Sequence, residues 1–226
     1  MQKRYFYLRG HPFVFLSTTG HGAKGATEEA TLACSRLDQE MRTLGGSIDD
    51  VVRTTVFTRN QECRPAISEI RGKAFVPATR PASSSIIVKD FTPGDTLIEI
   101  DSTAILSRGQ KYRKKGIEFN PARAYLKALL VEDLVFVSGQ GGRGENIEVQ
   151  TQTACRGINE ILVELGTSWD KVLLLSCYVK KQEWFDMVCQ LLREKTGNPS
   201  LWIDLAVADG YARPEMLIEI EATAYK

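Results

Sequence analysis

A chain of 226 residues with 43% hydrophobic and 25% charged residues has the composition of a globular protein, and it is long enough for two compact domains. Its 29 basic and 28 acidic residues give a formal net charge of +1, which provides no electrostatic basis for binding nucleic acid or an acidic membrane surface. The sequence shows no secretory signal pattern and no run approaching the ~20 apolar residues of a membrane span, so we expect no membrane partner and a cytoplasmic protein.

The first half of the chain begins with a predicted strand, helix and strand. Phe13–Ser17 is a short apolar run closed by a Gly-rich turn, which is typical of a buried strand. Apolar residues recur at helical spacing from Thr27 to Leu44, and the two glycines that follow predict the end of this helix. Val51–Thr58 is rich in β-branched residues and predicts the next strand.

A second helix and two further strands are predicted in the remainder of this half. Gln61–Phe75 is amphipathic, and Pro65 predicts that the helix begins near that residue. Ser84–Val88 and Leu97–Leu106 are predicted to pair with each other through a turn that contains Pro and Gly.

The second half repeats the first. FVFLSTTG aligns with LVFVSGQG, so that Ser17 corresponds to Ser138 at an offset of 121 residues, and Glu99 corresponds to Glu219 at an offset of 120. Its helices are predicted near Val149–Leu165 and Gln182–Lys195. A period of this size indicates a duplicated domain. We predict an α+β fold with domains at 1–108 and 119–226 and a linker at 109–118, each domain being a mixed sheet with two helices on one face.

Each half closes on nearly the same acidic strand, LIEIDSTAIL and LIEIEATAYK. Alternation predicts that Leu97, Glu99 and Asp101 share one face, opposite the isoleucines between them. Such carboxylates are found on solvent-facing strands and in catalytic sites, and the pattern leaves both interpretations open.

Cysteines and histidines give little support for a metal or thiol site. The five cysteines form no CxxC pair, and the two histidines, His11 and His21, are not clustered with them. We expect reduced thiols in the core. His21 has the chemistry of an acid or base near neutral pH, or it lies in solvent on its turn.

Several short motifs together resemble the RidA/YjgF (reactive intermediate deaminase) family. They are Ser138-Gly139-Gln140, the helix end Leu165-Gly166 before Asp170, the turn Pro81-Ala82-Ser83-Ser84, and the closing strand Leu217–Ala222. The resemblance covers both halves. It implies a chorismate-mutase-like fold in which three units close into a ring, with ligand clefts between neighbouring units.

The resemblance also implies roles for individual residues. One unit is expected to provide the S-G-Q turn and an upstream tyrosine, here Tyr125, and its neighbour a glutamate, here Glu99 or Glu219. In family members that deaminate, an arginine of a P-A-R-S turn binds the carboxylate of an imino or enamine acid. The glutamate activates the water that attacks the C=N carbon, and no cofactor or metal is needed.

Both halves depart from the family at that arginine. The turn reads Pro81-Ala82-Ser83-Ser84 in the first half and Pro199-Ser200-Leu201-Trp202 in the second. Arg80, Arg143 and Arg213 are candidates to replace the arginine, and a Gly-rich loop makes Arg143 the preferred one. The substrate is therefore expected to differ from simple 2-imino acids, as a larger carboxylate or a ring-derived imine.

The two halves also predict clefts of unequal activity. The second half keeps Ser138, Gly139, Gln140 and Tyr125, and the first half keeps small polar residues, Ser83 and Ser84, beside Glu99. We predict that these two sets form the productive cleft and that bulky residues alter the cleft around Glu219. The alternative is that both clefts bind similar ligands.

The predicted function is thus a cofactor-independent deaminase that hydrolyses an imine or enamine C–N bond of a small metabolite. The alternative is a ligand-binding or regulatory protein without catalysis. Ribonuclease activity gains little support from a near-neutral chain without a basic stripe. Rings of three units and two units per chain predict a homo-oligomer, a trimer of two-domain chains.

Overall fold

A computed structural model describes residues 4–77, 80–107 and 112–226 of the chain. The chain divides into two compact units, residues 1–132 and 133–226. Residues 109–111 of the predicted linker lie outside the described part, and residues 114–117 of it form a short strand. The start of the second sequence repeat therefore belongs structurally to the first unit.

The first unit contains seven strands and two helices among its described residues. In chain order they are β1 (Arg4–Leu8), β2 (His11–Thr19), α1 (Ala26–Thr43), β3 (Val51–Thr58), α2 (Cys63–Ala74), β4 (Ala82–Ile87), β5 (Ile98–Ile105), β6 (Lys114–Ile117) and β7 (Ala128–Val131). β1 to β5 form a sheet in the order β1-β2-β5-β3-β4, in which only β3 and β4 run parallel. β6 and β7 form an antiparallel pair.

Both helices of this unit cover the same face of the sheet, as predicted. The apolar stripe of α1, which includes Leu37 and Met41, packs with Ile67 of α2 against Ile98 and Ile100 of β5. Each such large apolar side chain contributes about 1.5–3 kcal/mol when it is fully buried. The register predicted for β5 is confirmed, since its isoleucines are buried while Glu99 and Asp101 are on the opposite face and more exposed.

The predicted pairing of the last two strands of this unit is wrong. β4 pairs with β3, and β5 lies on the other side of β3, where it also pairs with β2. The reason is that α2 forms a crossover connection, which returns the chain parallel to β3 rather than into a hairpin.

The second unit follows the same scheme. Its elements are β8 (Leu134–Gly141), α3 (Ile147–Glu164), β9 (Val172–Val179), α4 (Phe185–Thr196), β10 (Trp202–Val207) and β11 (Ile218–Tyr225). β10 runs parallel to β9, and β11 lies between β9 and β8, antiparallel to both. A single 3-10 turn, Gln182–Trp184, precedes α4 where the pattern had predicted the first turn of the helix.

Two further observations concern membrane-spanning helices and cysteines. Within the described ranges, no helix combines the length and apolar character that crossing a bilayer requires. All five cysteines carry free thiols, and four of them are buried.

Candidate functional site

The first predicted catalytic residue, Glu99, is held by a hydroxyl of the neighbouring strand. Ser17 Oγ donates a hydrogen bond of 2.8 Å to Glu99 Oε1. Ser17 lies on β2 opposite Asp101, two ladder positions from the Glu99–Thr19 pair, so the side chains of Ser17 and Glu99 meet diagonally on one face of the sheet. This face points away from α1 and α2. A carboxylate oriented in this way, and partly exposed, is able to bind and polarise a water molecule.

The two serines predicted to stand beside Glu99 lie on opposite faces of the sheet. Ser84 is opposite Thr55, which pairs with Asp101, so Ser84 shares the face of Glu99. Ser84 Oγ is buried and has no hydrogen-bond partner among the described residues. Ser83 instead faces the helices, because β4 side chains alternate.

Ser83 belongs to a buried polar triad with Thr54 and Arg71. Arg71 Nη1, from α2, donates to Ser83 Oγ at 2.6 Å and to Thr54 Oγ1 at 3.3 Å. Thr54 Oγ1 also bonds Ser83 Oγ at 2.9 Å. Arg71 is only 2% exposed, and burial lowers the pKa of its guanidinium, an effect that nearby Tyr125 opposes.

Tyr125, the tyrosine implied by the resemblance, lies against this triad. Its ring centre is 5.4 Å from Arg71 Cζ, within the range of a cation–π contact. The backbone beside Tyr125 is anchored to β4, since Leu126 N donates to Pro81 O at 3.2 Å and Leu126 bridges to Ala82. Arg123 Nη1 donates to the Tyr125 hydroxyl at 3.2 Å.

A cleft of about 880 Å³ opens between α2, the start of β4 and the segment that carries Tyr125. Four arginines line it, namely Arg64, Arg71, Arg80 and Arg123. The single acidic lining residue is Glu69, which pairs with Lys73 at 2.6 Å. This cleft is on the helix side of the sheet, and Glu99 is on the other side.

Sequence reasoning missed Arg71, although the repeat contained a signal for it. In the second unit, Leu175 and Leu192 occupy the repeat positions of Thr54 and Arg71, and both are fully buried. Leu175 pairs with Ile203 just as Thr54 pairs with Ser83. The first unit thus has a polar triad where the second unit has apolar residues at the same repeat positions. A comparison of helix positions between the two halves would have identified Arg71.

The S-G-Q segment of the second unit is part of a strand, whereas the sequence had predicted a turn. Gln140 pairs with Ile220 and Val137 with Ala222, so Ser138 and Gly139 both lie opposite Glu221 in a β-bulge. The corresponding β2–β5 ladder runs without such a shift. Gln140 Nε2 donates to Ser138 O at 2.9 Å.

The helix behind this bulge leaves room for the glutamine side chain. A Cβ atom at Gly157 of α3 would approach Gln140 Oε1 to 3.0 Å. The corresponding residue of α1 is Arg36, which donates to Thr19 O at 2.6 Å. The bulge and the small helix residue therefore distinguish the second unit from the first.

Glu219 and Arg143, the remaining predicted residues, lie in different environments. Glu219 is only 7% exposed and is paired across the ladder with Gly141 and Tyr178. Burial and the proximity of Glu219 raise the pKa of Tyr211, whose hydroxyl donates to Tyr178 O at 2.8 Å. Arg143 is exposed, and its backbone N–H donates a hydrogen bond of 2.8 Å to Thr153 Oγ1.

The other two arginines considered from the sequence also make local contacts. Arg213 Nη2 donates to Gly142 O at 3.1 Å, and its Nη1 lies 3.3 Å from Glu215. Arg80 Nη1 donates to Arg123 O at 2.7 Å. Of the three candidates, Arg80 alone lines the cleft described above.

A buried carboxylate of α1 binds the backbone just before β5. Glu29 of α1 accepts a hydrogen bond from Leu97 N at 2.7 Å, and burial raises its pKa. In the second unit, Gln150 Oε1 accepts from Leu217 N at 2.8 Å in the same way.

His21 Nδ1 lies 2.9 Å from Asp95 Oδ1 on the partly exposed turn. Within the described ranges, no group of three or more His, Cys, Asp or Glu side chains is arranged to hold a metal ion.

Comparisons with known protein sequences agree with the duplication. The profile of the Endoribonuclease L-PSP family matches residues 7–106 and again residues 116–226. A RutC family protein, slr0709 of Synechocystis sp., is 35% identical over 78 residues, which are 34% of this chain. The matched segment spans 59% of the length of that curated relative.

One of the solved structures similar to this chain covers both of its halves. A chorismatase structure aligns with 95% of this chain and 74% of its own at 20% identity and a TM-score of 0.60, which shows a shared fold. Rv2704 of Mycobacterium tuberculosis, a member of the YjgF/YER057c/UK114 family, is 26% identical and covers 50% of this chain and all of its own, with a TM-score of 0.47.

Proposed function

Since the chain belongs to the Endoribonuclease L-PSP family, we propose that it is a deaminase-type hydrolase that cleaves the C–N bond of a small imine or enamine. The observation that supports this most directly is the Ser17–Glu99 hydrogen bond of 2.8 Å. It fixes one carboxylate oxygen on a face of the sheet that water can reach. Glu99 is therefore the proposed general base.

The reaction needs only a base, a water molecule and a proton for the leaving group. Glu99 would take a proton from water as the oxygen adds to the imine carbon, which gives a carbinolamine. The C–N bond then breaks as nitrogen receives a proton, so that imine and water become carbonyl product and ammonia. Ser17 is a positioning residue in this scheme, because it holds the carboxylate in one rotamer.

The substrate proposed is a small metabolite other than a simple 2-imino acid. Ser83 stands at the position of the family arginine, and the neighbouring Ser84 Oγ is buried on the face of Glu99 with no hydrogen-bond partner among the described residues. A hydroxyl suits a neutral polar group better than a carboxylate. The same observation favours a second candidate, a protein that binds such a ligand without chemistry.

The test uses imines generated in place by an amino-acid oxidase, with ammonia release as the readout. We expect release above the buffer rate for at least one member of a panel that includes aromatic imines, and about a hundredfold loss for Glu99→Gln. Ser17→Ala should lower kcat with little change in KM. If the wild type matches buffer for every imine, the deaminase proposal fails, and ligand protection against unfolding without ammonia release would support the second candidate.

We further propose that the working form is a cytoplasmic homotrimer of two-unit chains. The outer edge of β10 supports association, because β9 is its one partner among the described strands and Trp202 is 72% exposed on it. Exposed edges carrying large apolar side chains are typical of interfaces.

A further inference from the structure

Asp101 is a second carboxylate on the face of the sheet that carries Glu99. One residue separates the two on β5, which places their Cα atoms about 6.5 Å apart along an extended strand. Glu99 is partly exposed and Asp101 is exposed. A small molecule that reaches Glu99 from solvent therefore also meets the carboxylate of Asp101.

Ser17 lies beside both carboxylates. It is directly opposite Asp101 in the β2–β5 ladder, and its hydroxyl donates to Glu99 Oε1 at 2.8 Å. A serine hydroxyl has one proton to donate. This hydrogen bond therefore serves Glu99 and not Asp101.

The residues that flank Asp101 across the sheet carry hydroxyls. The strand register places Ser17 on one side of it and Thr55, followed by Ser84, on the other. Ser84 is only 2% exposed, and its Oγ has no hydrogen-bond partner among the described residues. Buried hydroxyls are normally hydrogen-bonded, so an unpartnered one in this row indicates a position for a polar atom of a ligand.

Negative charge predominates on this face of the first unit. Among the residues of β2 to β5, with histidine counted as neutral, its charged side chains are Glu99, Asp101 and Arg53. Arg53 lies opposite Thr103 and is 7% exposed, and it offsets one of the two carboxylates. The remaining negative charge favours a cationic ligand over one that carries a carboxylate.

The second unit differs at the matching position. Glu221 corresponds to Asp101 at an offset of 120 residues, is 2% exposed and lies in the β-bulge opposite Ser138 and Gly139. Asp101 instead lies in an uninterrupted ladder with β2. The exposed and shorter carboxylate of the first unit is therefore the one that a ligand can reach.

We propose that Asp101 is a specificity-determining residue of the hydrolytic centre, and that its carboxylate binds the protonated nitrogen of an iminium substrate without a carboxylate. The inference rests on the proposed function, because it takes Glu99 as the residue that activates water. Protonation of an imine makes its carbon more electrophilic, and an adjacent carboxylate stabilises the protonated form. The hydroxyl of Ser84 would bind a further polar atom of the substrate.

The test is isothermal titration of the full chain with benzamidine and benzamide. The two ligands have the same shape, and cationic benzamidine is a stable mimic of a protonated aromatic imine. Benzamidine should bind at least about tenfold more tightly than neutral benzamide, because hydrogen bonds to charged groups are the stronger ones. Raising the salt concentration should weaken benzamidine binding.

Asp101→Asn should lower the affinity for benzamidine by about tenfold and leave that for benzamide nearly unchanged. Asp90→Asn is the matched control, because it removes one carboxylate at an exposed position between β4 and β5. It should bind benzamidine like the wild type, and urea unfolding checks that both variants are folded. Equal wild-type affinity for the two ligands, or undiminished benzamidine binding by a folded Asp101→Asn protein, would overturn the inference.

Ammonia release separates this inference from the proposed function. Flavin-dependent oxidases supply the imine of benzylamine, which lacks a carboxylate, and the imine of phenylglycine, which carries one. We expect faster release from the benzylamine imine, and Asp101→Asn should raise its KM. Faster release from the phenylglycine imine would overturn the specificity of Asp101 and leave the deaminase proposal intact. Release from neither imine would count against the deaminase proposal, and the titration would still decide whether Asp101 binds a cation.

Discussion

Converting the polar triad into its apolar counterpart should stabilise the first unit. The variant combines Arg71→Leu, Thr54→Leu and Ser83→Ile, the residues found at the same positions of the second unit. The two sets contain equal numbers of side-chain heavy atoms, so the exchange conserves volume to a first approximation. It removes both partners of each hydrogen bond within the triad, which leaves none of these side-chain groups unsatisfied.

The expected change in the free energy of unfolding follows from the desolvation of the buried guanidinium. Replacing buried ionic groups by well-packed apolar residues is neutral or stabilising by roughly 1–4 kcal/mol. For a chain of 226 residues, each kcal/mol raises Tm by about 2–4 °C. The measurement is urea unfolding followed by far-UV circular dichroism, with Tm from calorimetry.

The reverse exchange in the second unit provides the control. Leu192→Arg places a guanidinium at a fully buried position of the second unit, in which Leu175 and Ile203 replace the two hydroxyl residues of the triad. It should destabilise the protein by about 3–5 kcal/mol or prevent folding, as expected for an uncompensated buried charge. The reasoning would be refuted if the triple variant lost more than about 1 kcal/mol of stability while it kept a native spectrum.

Three further predictions concern other parts of the molecule. Glu219→Gln should spare most ammonia release where Glu99→Gln removes it, and equal losses in the rate assay would contradict the proposed difference between the two repeats. Because burial raises the pKa of Glu29 above its usual 4.5, the wild type should lose stability relative to Glu29→Gln as pH rises from about 4.5 to 7, and urea midpoints that differ by a constant amount over this range would argue against it. Trp202→Arg should shift the mass measured by light scattering from trimer towards monomer, and a wild type that is monomeric at every concentration would exclude the proposed assembly.

Periodicity predicted most of the fold because burial of one face dominates each element. The strand Val51–Thr58 has the predicted bounds, and α1 differs from its predicted bounds by one residue at each end. The pairing of β4 with β5 was predicted wrongly, since sequence neighbours were expected to form a hairpin and the crossover through α2 was not considered. Strand order depends on long-range packing, which local patterns do not contain.

The candidate site was less accessible from sequence than the fold. Alternation predicted that Glu99 points away from the core, and the family resemblance implied its role. Arg71 was missed because an arginine on an amphipathic helix normally lies in solvent, and only its alignment with Leu192 indicates a buried position. The role of Arg143 remains a prediction, as does the pairing of Glu99 with the segment Ser138–Gln140.

The anchoring of Leu126 to the edge of β4 has a consequence for how ligand binding varies with dilution. Both walls of the arginine cleft come from one polypeptide, since α2 belongs to the first sequence repeat and Tyr125 to the start of the second. A cleft whose walls came from two separate chains would disappear below their dissociation constant, whereas covalent linkage holds the second wall at a high effective concentration. A ligand of this cleft should thus bind with the same affinity at nanomolar and micromolar protein, even where the oligomer dissociates.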